Sequence, residues 1–223
     1  MPSPDRHFAN AAIFTHSTGL TPNSGDAALY IKSDNKAYIK DSTGAETLVG
    51  PTTATGAWTT GWIPASLWIP RTTNGCGVDS RELATNRTNW DELLFDAGTD
   101  KFAQAFIMLP SNYNFGTITA RFYWTGSGAT DGSDDVIWGI QGRAFADADD
   151  LDIAFGTAQT VTDTLAVIND MQISAATSAV TIGGTPAANR PILFQIYRDA
   201  DAVGDNYGHD ARLLGVEISY TAI

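Results

Sequence analysis

A period-two alternation of apolar and polar residues dominates the chain from about residue 88 onward. Ile118, Ala120, Phe122 and Trp124 fall on one face of an extended segment, and Thr119, Arg121 and Tyr123 on the other. The same pattern predicts strands over 90–95, 102–109, 116–125, 136–145, 161–168, 171–182, 191–198 and 213–220, with Gly, Asn, Asp and Ser in the gaps and Pro110 ending the second. The Thr and Val content of 163–171 favours strand over helix there. In 193–198, Phe194, Ile196 and Arg198 alternate with Leu193, Gln195 and Tyr197, so both faces are partly apolar. Such a strand is covered on both sides or meets a neighbouring subunit. Strands of similar length, short turns and no amphipathic helix predict an all-β fold, an antiparallel sandwich over 62–223.

The first fifty residues read differently. Short strands are predicted at 28–32, 37–40 and 45–49, joined by polar turns, and three of the four lysines (Lys32, Lys36, Lys40) lie in this stretch. Three strands of this length bury little by themselves, so the module is expected to complete its core against other subunits. Residues 1–27 have the composition of an extended arm with apolar anchors at Phe8, Ile13 and Phe14. The expected organisation is therefore an arm and small β-module over 1–50, a Gly/Pro/Thr linker over 51–61, and the sandwich over 62–223.

Composition narrows the function classes. With 25 Asp+Glu against 13 Lys+Arg, the 223-residue chain carries a formal net charge of −12 and has no basic cluster to neutralise phosphates, which argues against nucleic acid as a partner. Apolar runs fall short of the ~20 residues of a membrane-spanning helix, so no membrane partner is expected. The opening residues lack the basic-then-apolar order of a signal peptide. Folding in a cytoplasm without disulfides, and no export by the usual route, is the expectation. Cys76 is the sole cysteine, which excludes an intrachain disulfide and a cysteine zinc site.

The segments 101–110 and 116–124, together with 191–199 and 211–220, resemble the jelly-roll domain of tailed-bacteriophage surface proteins. The stretches 62–65 and 70–73 are similar to the segment that leads into that domain. The pattern Leu29-Tyr30-Ile31-Lys32 and Tyr38-Ile39-Lys40-Asp41 resembles the short β-module of head fibres, capsid decoration proteins and tail fibres. This resemblance implies a virion structural protein without enzymatic activity or cofactor, commonly a homotrimer. The short arm and lack of a long shaft favour a capsid decoration (cement) or head-fibre protein anchored by its arm to the major capsid protein. The alternative is a short tail fibre whose jelly roll recognises host surface polysaccharide.

Candidate chemistry is sparse. Asp147, Asp149, Asp150 and Asp152 form the acidic loop best suited to a structural cation, though such loops are ordinarily solvated tips; 131–135 and 205–210 are similar acidic runs. His7, His16 and His209 have no nominated nucleophile. The carboxylate pairs Glu92 with Asp96 and Glu82 with Asp91 are what any acidic chain offers by chance. Trp124 and Trp138 read as core. Trp58, Trp62 and Trp68 lie in the linker and the segment that enters the sandwich, where they serve either a subunit interface or a sugar-stacking platform. Tyr30 and Tyr38 join Phe8, Ile13, Phe14 and these three tryptophans as candidate subunit or capsid contacts. Asn86-Arg87-Thr88 matches a glycosylation triplet without a secretory route to use it.

Overall fold

The structure, a computed structural model, describes residues 14–15, 22–31, 37–48 and 58–222. The chain divides into two units, Met1–Thr53 and Ala54–Ile223. The first contains a sheet of β1 (Phe14–Thr15), β2 (Ala27–Ile31), β3 (Ala37–Asp41) and β4 (Glu46–Leu48), in that order. The β1–β2 pair is parallel and the others antiparallel. The β3–β4 turn forms because the Asp41 carboxylate accepts from the amides of Thr43 and Ala45, both at 2.9 Å, while Gly44 takes a φ of +89°. Leu29 and Ile39 are direct cross-strand partners, and both are exposed (44 % and 41 %).

The second unit is an antiparallel jelly-roll β-sandwich. Its strands are β5 (Trp58–Pro64), β6 (Ile69–Pro70), β7 (Gly77–Glu82), β8 (Asn89–Phe95), β9 (Lys101–Ile107), β10 (Tyr113–Gly126), β11 (Asp134–Ala144), β12 (Gln159–Leu165), β13 (Gln172–Ile173), β14 (Ile192–Arg198) and β15 (Ala211–Ala222). One sheet runs β13-β10-β15-β8-β7, with β5 also paired to β15; the other runs β12-β11-β14-β9-β6. From β8 to β11 successive strands alternate between the sheets, so neighbours within a layer are distant in sequence and the layers are joined through the shared apolar core.

Alternation supplies the core. Ile118, Ala120, Phe122 and Trp124 are buried on β10, and Leu213, Val216, Ile218 and Tyr220 on β15; they join Val136, Trp138 and Ile140 of β11 and Phe194 and Ile196 of β14 in one cluster. Trp138 bridges the layers: it stacks on Phe122 at 5.3 Å and meets Phe95 and Trp124 edge-on at 5.1 and 5.9 Å. Arg198 also points inward and is fully buried. Its guanidinium donates twice to Asp205 (2.9 and 2.6 Å), to the carbonyls of His209 (2.7 Å) and Phe95 (3.3 Å), and to the Tyr207 carbonyl, so all five N–H donors are used.

The strand expectations fail in two places. Strand β7 was not anticipated, because five of its six residues are exposed and leave no alternation to read. The expected strand over 171–182 is only two residues long. Beyond it, side chains share the pairing with the backbone: the hydroxyls of Ser174 and Thr177 accept from the amides of Phe122 and Ala120, both at 3.0 Å, while their own amides donate to the carbonyls of those two residues at 3.0 and 2.9 Å. The expected linker 51–61 also overlaps β5, which starts at Trp58. Among the described residues no helix is long and apolar enough to cross a membrane.

Candidate functional site

The outer face of the five-stranded sheet carries the most organised set of polar and aromatic side chains among the described residues. On β14 the inward residues are Ile192, Phe194, Ile196 and Arg198, which leaves Leu193, Gln195 and Tyr197 facing out. Register then lines up neighbours into rows perpendicular to the strands. Gln141, Gln195 and Gln104 form one row, continued by Ile69 on β6. Three of the chain's five glutamines therefore stand side by side. Gln104 Nε2 donates to Gln195 Oε1 at 2.8 Å, and Gln195 is buried in the middle of the row.

A ring row lies on one side of the amides. Gly139, Tyr197 and Phe102 are in register, and the Tyr197 ring rests on Gly139 so closely that a Cβ there would come within 2.3 Å of it. Tyr197 and Phe102 sit 5.5 Å apart with their planes tilted by 32°. Arg71 lays its guanidinium 4.4 Å over the Phe102 ring. Burial, reinforced by the charges of Asp199 and Asp100, raises the Tyr197 phenol and keeps it protonated as a donor. On the other side of the amides, Arg143, Leu193 and Phe106 make a third row, and Phe106 is 57 % exposed. A groove of about 490 Å³ runs between the segment Ile69–Thr73 and Gln104, Phe106 and Leu193.

The residues nominated from sequence lie elsewhere. Trp68 belongs to the sandwich core, donating its indole N–H to the Ile63 carbonyl at 3.5 Å, and so is available neither to an interface nor to a sugar. Trp62 is half-exposed on the other sheet, laid over Gly215 and edge-on to Tyr123 at 4.8 Å. Phe8 and Ile13 are outside the described residues. Phe14, Tyr30 and Trp58 are placed by backbone register alone: Phe14 opposite Tyr30, and Trp58 opposite Thr221. Tyr38 is half-buried on β3, opposite Tyr30 and Leu48.

The acidic loop 147–152 is exposed, and Asp149 and Asp150 accept from the amides of Ala146 (2.7 Å) and Asp152 (2.9 Å) in their own loop. Among the described residues, the group of three carboxylates that approach within 4.8 Å of one another is instead Asp100, Asp199 and Asp201. Asp199 is raised by partial burial and then by the charges of Asp100 and Asp201, while Asp100 accepts from the Ala200 amide at 2.9 Å.

The proposed carboxylate pairs are used structurally. Glu92 is buried, accepting from the Trp90 indole at 2.7 Å and facing Arg212 at 3.4 Å, and Glu82 pairs with Arg87 at 2.9 Å. His209 packs its ring against Gly128 and Tyr207; His7 and His16 are outside the described residues. Burial pushes the Cys76 thiol up to about 12. Asn86 and Arg87 form the tight β7–β8 turn, with Arg87 at a φ of +56°.

No family model and no curated protein matches the sequence. Solved structures do resemble the chain. A family 11 carbohydrate-binding module from Clostridium thermocellum, in complex with a β-1,3-1,4-mixed-linked tetrasaccharide, is 10 % identical with a TM-score of 0.40, covering 74 % of this chain and 96 % of its own. TmCBM61 in complex with β-1,4-galactotriose is 9 % identical with a TM-score of 0.33, covering 76 % and 96 %. The solution structure of CtCBM11 is 11 % identical with a TM-score of 0.36, covering 77 % and 99 %. These likenesses assign no residue of the chain.

Proposed function

We propose that the 54–223 unit is a non-catalytic glycan-recognition domain that binds a polysaccharide across the outer face of the five-stranded sheet. The observation that carries this is the Gln104–Gln195–Gln141 row bordered by the Tyr197–Phe102 rings. A pyranose presents apolar C–H faces and a ring of hydroxyls that both donate and accept. Aromatic rings match the first and carboxamides, each with donor and acceptor, match the second. Adjacent strands lie roughly 4.8 Å apart, so Gln104 and Gln141, two strands apart on either side of the buried Gln195, can address different sugars of an extended chain.

The test is an immobilised-glycan array read with the parent protein and with Tyr197→Ala and Gln104→Ala. Glycan hits lost in both variants support the proposal. Hits that survive both changes, or an array with no hits, refute it.

The 1–53 unit is proposed as an assembly element, supported by the exposed Leu29–Ile39 cross-strand pair, which leaves apolar surface for a companion copy to cover. Together with the resemblance to phage surface proteins, this reading makes the chain a homotrimeric virion component whose sandwich meets the host surface. Sedimentation of the parent as a trimer, shifted to monomer by Leu29→Lys with Ile39→Lys, is the expected result; a parent that sediments as a monomer refutes it. A capsid decoration protein with no glycan ligand remains the competing outcome, read as a silent array with full occupancy on particles.

A further inference from the structure

We infer that the glycan bound on this face is anionic, its carboxylates read by Arg71 and Arg143; the inference rests on the glycan-recognition reading above. In a chain of net charge −12, carboxylates outnumber basic groups nearly two to one, and arginines readily find them. Arg87, Arg121, Arg198 and Arg212 each pair with a carboxylate. Arg71, Arg81, Arg143 and Arg190 have no ion pair among the described residues, and of these Arg71 and Arg143 border the amide row on opposite sides.

Arg71 lines the groove, held by stacking over Phe102, an arrangement that fixes the plane of the guanidinium without consuming its charge. Arg143 stands in register with Leu193 and Phe106, donates from Nη1 to the Ala154 carbonyl at 3.3 Å, and keeps a buried Nε with no partner. Among the described residues no carboxylate comes within 4.0 Å of its guanidinium, and Asp149 and Asp150 of the following loop accept from their own loop's amides.

The physical argument is one of desolvation. A polysaccharide laid along the row displaces water from both guanidiniums. Under a neutral sugar each would be left as a partly dehydrated charge with weak partners, which is costly. A carboxylate returns paired, charge-assisted hydrogen bonds to the guanidinium fork. The face is thus built for a uronate-bearing chain whose uncharged sugars sit on the rings and amides.

The experiment compares binding of the full chain to polygalacturonate, to the same polymer after carboxyl reduction, and to dextran sulfate, alongside an array of matched neutral and uronate-bearing oligosaccharides. The expected result is array hits concentrated on uronate-bearing glycans, with polygalacturonate bound at least tenfold tighter than its carboxyl-reduced form. Arg71→Gln and Arg143→Gln should each cost about tenfold in uronate affinity and flatten its salt dependence, with Arg71→Lys intermediate because it keeps charge but loses the fork. Hits confined to neutral glycans overturn the inference and leave the recognition reading standing. Dextran sulfate bound as well as polygalacturonate, with no effect of either arginine change, identifies charge attraction alone and also overturns it. No glycan bound at all removes both.

Discussion

Replacing Arg198 by Met tests whether the binding face is held from beneath by the buried ion pair. Arg198 and Asp205 are both essentially solvent-free, and their bidentate contact at 2.9 and 2.6 Å anchors the segment after β14 to the core. Methionine fills similar volume but leaves Asp205 as an uncompensated buried charge and three carbonyls without their donor. Breaking one partner of such a pair costs ~3–5 kcal/mol, a large share of a total stability of about 5–15 kcal/mol. For a unit of this size each kcal/mol lowers Tm by about 2–4 °C, so the variant should melt roughly 6–20 °C lower. The assay is thermal and urea unfolding followed by tryptophan fluorescence, which reads the Trp124 and Trp138 cluster directly. Adding Asp205→Asn removes the orphaned charge and should recover more than half of the loss. A single variant melting within 2 °C of the parent would refute the reasoning about the pair. A double variant as weak as the single would locate the loss in the carbonyl contacts of Phe95, Tyr207 and His209 instead.

Gly139→Ala puts a Cβ where the Tyr197 ring lies, so the ring must lift; glycan retention in affinity electrophoresis should fall, with the core destabilised by only ~1–3 kcal/mol. Asp163, which accepts from the Trp124 indole at 2.7 Å, is raised mainly by burial, so its folded form favours the proton and its contribution to stability is lost as pH rises through its folded pKa. Asp163→Asn should therefore be more stable than the parent at neutral pH, with the advantage shrinking towards about pH 4; an advantage independent of pH would contradict this. The Cys76 thiol, raised to about 12 by burial, should resist a thiol reagent at pH 8 in the folded protein and react at once in denaturant; rapid reaction of the native chain would contradict its placement.

The fold was legible wherever burial is one-sided. The Ile118–Trp124 alternation locates β10 and its core face because a strand between water and oil must sort its residues by parity. The same rule is blind to β7, whose side chains meet solvent on both faces, and to 174–182, where the Ser174 and Thr177 hydroxyls supply half of each hydrogen-bonded pair to β10 and break the alternation. Parity also explains the misplaced tryptophan. Trp62 and Trp68 are separated by the 3-10 turn Ala65–Leu67, which resets the alternation, so one ring ends on the surface and the other in the core. The site was less legible still: Gln104 and Gln195 are 91 residues apart and become neighbours only through strand order.

Strand β14 joins the core to the proposed binding face. Its seven residues send Phe194, Ile196 and Arg198 inward and Leu193, Gln195 and Tyr197 outward. It lies between β11 and β9, hydrogen-bonded along its whole length on both edges. A ligand on this face therefore meets side chains whose backbone has no freedom left to lose, and Gln195 is already held by Gln104. Ordering costs that commonly erode affinity are met during folding rather than on binding. The both-sided apolar character of 193–198, which from sequence alone left a buried strand or a subunit contact open, follows from this position: the inner face fills the core, while the outer face is half-covered by its own rings and amides.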